Sequence, residues 1–395
     1  MSRCNSRPLI LALIGQNRSD RYTEPIAFEC QRYLATFARD GVSNLAPPML
    51  PHQTMDRDRL PPIRRWMRWG VYGMLGVLCG VAVAITWMTF QTRSTIAETR
   101  RSEIPPPLDA DRAMGYLKTI TQFGPRPSGS ASMVRQQTYL KDFFTRQGLD
   151  VREQIFQVRH PQTGEPVRMV NLIASFRPDA PLRYVVAAHY DTRPFPDQDR
   201  QDPRGTFVGA NDGASGVAAM MEWTHHLERL PKTIGVDLVM FDGEELVYRR
   251  DDDYFIGSTY FAQDYRDNPP AIPYRGGFVW DMIGDRELQI YVERHSLRYA
   301  KQLTLDVFRT ANRLGINEFR LRQRHEVRDD HLPMNLIAKI PTVDLIDFDY
   351  PRPGVGTTGY WHTTRDVPEH CDGRSLITVV YVVNEYLRDV GSSAR

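Results

Sequence analysis

From Asp109 onward, short apolar runs alternate with longer amphipathic stretches. In "DADRAMGYLKTITQFG" the apolar residues recur at spacings of three and four behind an aspartate cap, which predicts a helix ending near Gly124. "ASMVRQQTYLKDFFTRQG" repeats the pattern and ends at Gly148. "VREQIFQV" alternates as a half-buried strand does. "MVNLIASF", "RYVVAAH" and "GVDLVMF" are short apolar runs and read as interior strands. "DGASGVAAMMEWTHHLERL" reads as a helix, "GGFVWDM" and "ELQIYVE" as strands, and "SLRYAKQLTLDVFRTANRLG" as a helix. "IPTVDLID" is a further strand and "RSLITVVYVVNEYLRDV" a closing helix. Strands separated by helices predict a three-layer α/β fold, with a central, mostly parallel mixed sheet covered by helices on both faces. Residues 109–395 are of a size for one such domain.

Ahead of that domain the pattern changes. Trp69 to Phe90 is a 22-residue run without a charge. As a helix it reaches roughly 33 Å, enough to span a bilayer core. Arg57, Arg59, Arg64, Arg65 and Arg68 precede it, whereas Arg93, Arg100 and Arg101 on the other side are offset by Glu98 and Glu103. Residues 69–90 are therefore expected to be an uncleaved transmembrane signal anchor, with residues 1–68 cytoplasmic and the domain extracytoplasmic, in the periplasm or outside the cell. Residues 1–54 show no sustained period and read as a disordered tail or a start-site error, since "MDRDRLPPIRRWMRWG" from Met55 looks like the start of an anchor. Residues 91–108 form a polar, proline-containing linker. A net charge of +2 gives no reason to expect a nucleic-acid partner. Of the four cysteines only Cys371 lies in the domain, so neither a disulfide within it nor a cysteine-rich metal site is available.

Ligands of open α/β sheets bind beyond the carboxyl ends of the strands. His189, Tyr190 and Asp191 follow one predicted strand; Asp242, Glu244 and Glu245 follow another. Asp281 ends a third, Asp212 precedes a helix in "FVGANDGASG", and Trp361 and His362 lie in "YWHTTRD" after the last strand. Taken singly, each is more often a cap or a solvated turn residue. Together they make a nitrogen and oxygen donor set without cysteine, which suits catalytic zinc. Clustered carboxylates ionise together only when a cation offsets them. Adjacent side chains at a strand end diverge, so one of the paired glutamates can ligate while the other stands free as a proton shuttle.

"AAHYDT", "GANDGASGVA", "FDGEEL", "WDMIGD" and "WHT", in this order and with "FGPRPSGS" before them, resemble the zinc aminopeptidase-like M28 superfamily. The resemblance implies a zinc-dependent catalytic domain acting on a peptide or protein N-terminus. Two chemistries occur there. The glutaminyl-peptide cyclotransferase branch cyclises N-terminal Gln to pyroglutamate and releases ammonia; the two-zinc aminopeptidases hydrolyse the first peptide bond. "RDDHLPMN" and Trp361 before His362 resemble the cyclases, and the cyclase reading is preferred. "NDGASG" is closer to the aminopeptidases, no Trp follows the paired glutamates, and Asp344 stands where animal cyclases have His. The cyclase resemblance implies one zinc on Asp212, Glu245 and His362, with Glu244 as general acid and base. It also implies Asp281 and Asp329 in the amine and proton network, and substrate contacts from Trp361, Asp330 and His331. The aminopeptidase alternative implies a second zinc on His189 and Asp281, bridged by Asp212. A non-catalytic binding ectodomain is the third reading, and the retained acid and imidazole set argues against it.

Overall fold

A computed structural model describes residues 79–83, 86, 101–348 and 359–393. Residues 79–83 and 86 are helical and exposed. The expected tail lies outside the described residues, as does most of the expected anchor. Among the described residues no helix is long and apolar enough to cross a membrane.

The elements run in chain order as α1 (Ala110–Thr121), α2 (Ala131–Arg146), β1 (Asp150–Arg159), β2 (Pro166–Phe176), β3 (Leu182–His189), α3 (Ser215–Thr224) and β4 (Ile234–Phe241). They continue as α4 (Ile256–Asp267), β5 (Tyr274–Asp281), β6 (Ile290–Val292), α5 (Arg294–Tyr299), α6 (Lys301–Arg313), β7 (Phe319–Gln323), α7 (His331–Leu336), β8 (Thr342–Ile346) and α8 (Gly373–Ser393). The expected aspartate cap is present, with Asp109 accepting the Arg112 N–H at 3.0 Å; Ser130 caps α2 in the same way, accepting that of Met133 at 3.1 Å. Before α1 the chain lies along the domain: Ser102 N–H donates to Glu318, and Asp109 N–H to the buried Glu222.

The main sheet has the order β1-β2-β4-β3-β5-β8. β4, β3, β5 and β8 are mutually parallel, while β1 and β2 add an antiparallel margin. Alternate residues divide between two cores, as the two-residue period of a strand requires. Val186, Ala188, Leu238, Met240, Phe278 and Trp280 face the larger core, with residues of α1, α2, α3, α6 and α8. Val185, Ala187, Val239, Phe241 and Val279 face the smaller one, with Phe261 and Met334 from α4 and α7. Helices on both faces and a mixed, largely parallel sheet match the expected architecture.

Three details differ from the sequence expectation. "ELQIYVE" contributes β6, which pairs with β7 in a separate two-stranded sheet instead of joining the main one. The helix expected over Ser296–Gly315 is broken at Ala300 (φ −129°, ψ 38°), where the Thr304 hydroxyl reaches the carbonyls of Ser296 and Ala300. α4, α7 and β7 are additional. α4 gave no start signal because Phe255 before it is left-handed and offers no side-chain cap.

β3 lies at the centre; the chain leaves it for β4 on one side, and then crosses through α4 to β5 on the other. The crevice at that switch point opens beyond His189, Phe241 and Asp281, the last residues of the three strands. α3 crosses close beneath it. A Cβ on Gly216 would stand 2.3 Å from the Trp280 carbonyl oxygen and 2.7 Å from Ala188 Cβ. Gly216→Ala is expected to cost about 1–3 kcal/mol through this overlap. A lower urea midpoint with an unchanged slope would bear this out; an unchanged midpoint would mean that the helix can move away.

Candidate metal and active site

Each strand end is held by hydrogen bonds that fix its acidic side chain. Beyond β3, the buried Asp191 accepts the backbone N–H groups of Glu244 (3.2 Å) and Glu245 (3.0 Å), and its Oδ1 lies 3.6 Å from His189 Nδ1. One carboxylate thus sets both the paired glutamates and the imidazole. Beyond β4, Asp242 turns inward. It accepts Ser128 Oγ–H at 2.7 Å and Val170 N–H at 2.8 Å, so it braces the strand end. Gly243 adopts φ +79°, a left-handed turn natural for glycine, and redirects the chain so that Glu244 and Glu245 diverge. The loop before α3 is pinned by Asp366, which accepts the N–H groups of Asn211 (2.8 Å) and Asp212 (3.0 Å).

These supports bring the predicted residues together. His189 Nε2 lies 3.0 Å from Asp212 Oδ1 and 3.2 Å from Asp281 Oδ1. His362 Nε2 lies 3.3 Å from Asp212 Oδ2 and 3.0 Å from Glu245 Oε1. Asp212 therefore turns one oxygen to each imidazole. The donor atoms of Asp212, Glu245 and His362 form one converging group, and those of His189, Asp212 and Asp281 another. His189, Glu244 and Glu245 form a third, overlapping group.

The donors fit zinc. Zn–N and Zn–O bonds of about 2.0–2.2 Å make tetrahedral ligand–ligand edges of about 3.4 Å, and the nitrogen–oxygen spacings here lie close to that. Asp212 Oδ2 is buried and accepts no hydrogen bond, as expected of an atom reserved for a cation. Burial opposes the charged form of His362, but the neighbouring carboxylates of Asp197, Asp212 and Glu245 outweigh it and lift its pKa to about 10. In the same pocket burial raises Asp281 to about 7, despite its bond to His189.

Glu244 is only half-buried and takes no place in the Asp212–Glu245–His362 group. Desolvation, reinforced by Glu245, Asp330 and Asp329, pushes its carboxyl well above the ordinary glutamate range, although His189 works the other way. Trp361 is half-buried and lies against the His362 ring, with centroids 3.9 Å apart, and its indole meets Phe348 at 5.4 Å. It presents an apolar surface directly beside a ligand.

The "RDDH" residues sit deeper. Asp329 is buried close to Asp344. Burial and the acids Asp329, Glu293 and Asp281 push Asp344 well above the carboxylate range. Asp330 and His331 are both wholly buried. His331 has Glu293 Oε2 3.4 Å from Nε2 and Asp344 Oδ2 3.6 Å from Nδ1. The two acids approach opposite nitrogens of one ring. Glu293 also accepts N–H groups of His295, Ser296 and Val327. The donor atoms of Glu293, His331 and Asp344 form a fourth buried group, which shares no residue with the other three.

Sequence reasoning passed over Arg193, Asp197, Asp366 and Glu293. Glu293 and Asp366 carry out buried bracing that no local pattern marks. Asp191 and Asp242 did have a signal, their positions just beyond a predicted strand.

The model of Peptidase family M28 matches residues 171–387. A glutaminyl-peptide cyclotransferase of Bothrops jararaca is 31% identical over 254 residues, which cover 55% of this chain and 65% of the snake protein. The match thus spans somewhat under two thirds of that relative. Among solved structures, the glutaminyl cyclase of Fimbriiglobus ruber is 36% identical with a TM-score of 0.67, covering 73% of this chain and 97% of that one. A Zn-dependent exopeptidase from Parabacteroides distasonis is 29% identical with a TM-score of 0.65, covering 72% and 99%. His362→Ala is expected to lower zinc content, measured by elemental analysis of protein purified without chelator. Unchanged zinc per chain would contradict the ligand assignment.

Proposed function

The chain belongs to peptidase family M28, and we propose that it is a zinc-dependent glutaminyl-peptide cyclotransferase. In this reading it closes the N-terminal Gln of a peptide or protein to pyroglutamate with release of ammonia. The observation that carries the proposal is Glu244 standing outside the Asp212–Glu245–His362 group, with Trp361 against His362 at its side. The likeness to the Fimbriiglobus ruber glutaminyl cyclase supports the same choice.

One zinc on Asp212, Glu245 and His362 would supply a Lewis acid for the side-chain amide carbonyl. The remaining steps belong to side chains. The substrate α-amine forms the new C–N bond to its own side-chain carbonyl carbon, and the C–NH₂ bond breaks. Glu244 takes the proton from the attacking amine and passes it to the departing nitrogen, which leaves as ammonia. A carboxyl raised well above the ordinary glutamate range by burial holds a proton more readily, which suits both transfers. Asp281 at the crevice edge, with Asp329 behind it, offers acceptors to the amine. Trp361 supplies an apolar wall for the methylenes of the Gln side chain and narrows the space for water.

The second reading is a two-zinc aminopeptidase. His189, Asp212 and Asp281 favour it, because they form a second converging group that shares Asp212 with the first. The sequence argument for an anchor at residues 69–90 places the domain outside the cytoplasm. Retention of the full chain in the membrane pellet after alkaline carbonate, and its release in a chain starting at Arg101, would support that location.

Glu244→Gln is expected to retain zinc and lose turnover by about 10²–10⁴-fold. An active variant would overturn the shuttle role. Gln-Ala and Leu-Ala peptides separate the two chemistries: ammonia from the first with one zinc per chain is the cyclase result, and free leucine from the second with two zincs is the aminopeptidase result.

A further inference from the structure

Arg193 and Asp197 lie on the loop after β3, and neither is needed for the chemistry proposed above. Arg193 is buried and Asp197 is exposed. The Arg193 backbone N–H donates to Glu245 Oε2 at 3.0 Å, and its Nη1 lies 3.4 Å from Glu245 Oε1. The same guanidinium grips Asp197, with Nε 3.0 Å from Oδ1 and Nη2 3.3 Å from Oδ2. Asp197 Oδ1 in turn stands 3.0 Å from His362 Nδ1, the nitrogen turned away from Asp212 and Glu245. The contacts form a ring: Glu245, Arg193, Asp197, His362, and back to Glu245 across the 3.0 Å gap at Nε2.

We infer that Arg193 and Asp197 are positioning residues that lock Glu245 and His362 into one frame and so raise the affinity of the site for zinc. The inference rests on the reading that Glu245 and His362 hold the ion. His362 needs such a frame more than the other members. It sits on no strand or helix, and its backbone is left-handed (φ +52°), an unusual state for a residue with a Cβ. The loop of Arg193 and Asp197 steadies it from several sides. Gln198 N–H donates to the His362 carbonyl at 3.1 Å, and Asp199 Oδ2 accepts both the N–H (3.0 Å) and the hydroxyl (2.6 Å) of Thr364. Standing 3.0 Å from Nδ1, the Asp197 carboxylate favours a proton on that nitrogen and so leaves Nε2 to face Asp212 and Glu245. The bidentate grip of Arg193 fixes the orientation of Asp197, and its peptide N–H and Nη1 hold both oxygens of Glu245. Loosening either residue opens the ring and frees both ligands to wander.

The test is zinc affinity, measured on the full chain by competition with a chromophoric chelator after the metal is stripped. Asp197→Ala and Arg193→Met are each expected to weaken zinc binding by about 10–100-fold. Asp197→Asn keeps an acceptor for His362 but not the charge, and should fall between wild type and Asp197→Ala. The double variant should bind about as weakly as the worse single one, because one break already opens the ring. Equal zinc affinity in wild type and Asp197→Ala overturns the inference while leaving the metal reading intact. Single effects that multiply in the double variant overturn the coupling of the two residues. A wild-type chain that takes up no zinc overturns the metal reading, and this inference with it. Asp197 is exposed, so Asp197→Ala tests the inference even if Arg193→Met fails to fold.

Discussion

Negative charge crowded at the carboxyl edge of the sheet is the constraint to which the rest of the structure answers. Asp191, Asp212, Glu244, Glu245 and Asp281 converge on His189 and His362, and all but Glu244 and Asp281 are buried. Water is largely excluded there, so each acid makes its neighbours harder to ionise. Asp281 near 7, and Glu244 far above its ordinary range, are the signs of that pressure. Two buried arginines relieve part of it. Arg193 reaches Glu245 directly. Arg126, fully buried, donates to the carbonyls of Gly124, Val208 and Gly209, close enough for its charge to act on Asp366, Asp191, Glu245 and Asp212. A divalent cation at the convergence of donors would offset most of the remainder.

Holding such groups together requires a backbone that cannot relax away from them. The parallel strands supply it by ending at one level, and the loops that follow are tied across to one another. Asn211 Oδ1 accepts the Gly284 N–H at 2.6 Å, and the Ser215 hydroxyl, which donates to the Asn211 carbonyl, accepts that of Ile283. The Asp212 loop is thereby fastened to the chain beyond β5, and through Asp366 to the loop carrying His362. The glycine at 213 is part of the same economy of space. Its φ is +94°, and a Cβ there would stand 2.5 Å from the Asp191 carbonyl oxygen. Only a residue without a side chain lets the loop pass so near the end of β3.

The sheet and the converging acids were legible in the sequence because both follow from local periodicity. Apolar runs of strand length mark the interior strands, and the polar residue after each run marks the edge where a ligand belongs. The residues behind that edge were not legible in the same way. His331 stands beside Asp329 and Asp330 in the chain and reads, with Asp330, as a substrate contact. Its burial between Glu293 and Asp344 depends on β8 and α5 coming together, which no local pattern reports. The break at Ala300 escaped for a similar reason: an apolar spacing can run unbroken across a point where a threonine hydroxyl takes two carbonyls. Arg193 and Asp197 gave no signal because their partners, Glu245 and His362, lie 52 and 165 residues further along the chain.

Asp212 gives one oxygen to the side of His189 and the other to the side of His362. Any ion seated on one side draws electron density from an anion that the opposite side also needs. Occupancy of the two sides would therefore be linked, and the linkage would be mutual: whichever filled first would make the other a poorer host, by the same factor in either order. Residues that could serve two ions would then favour a one-ion state at low metal supply.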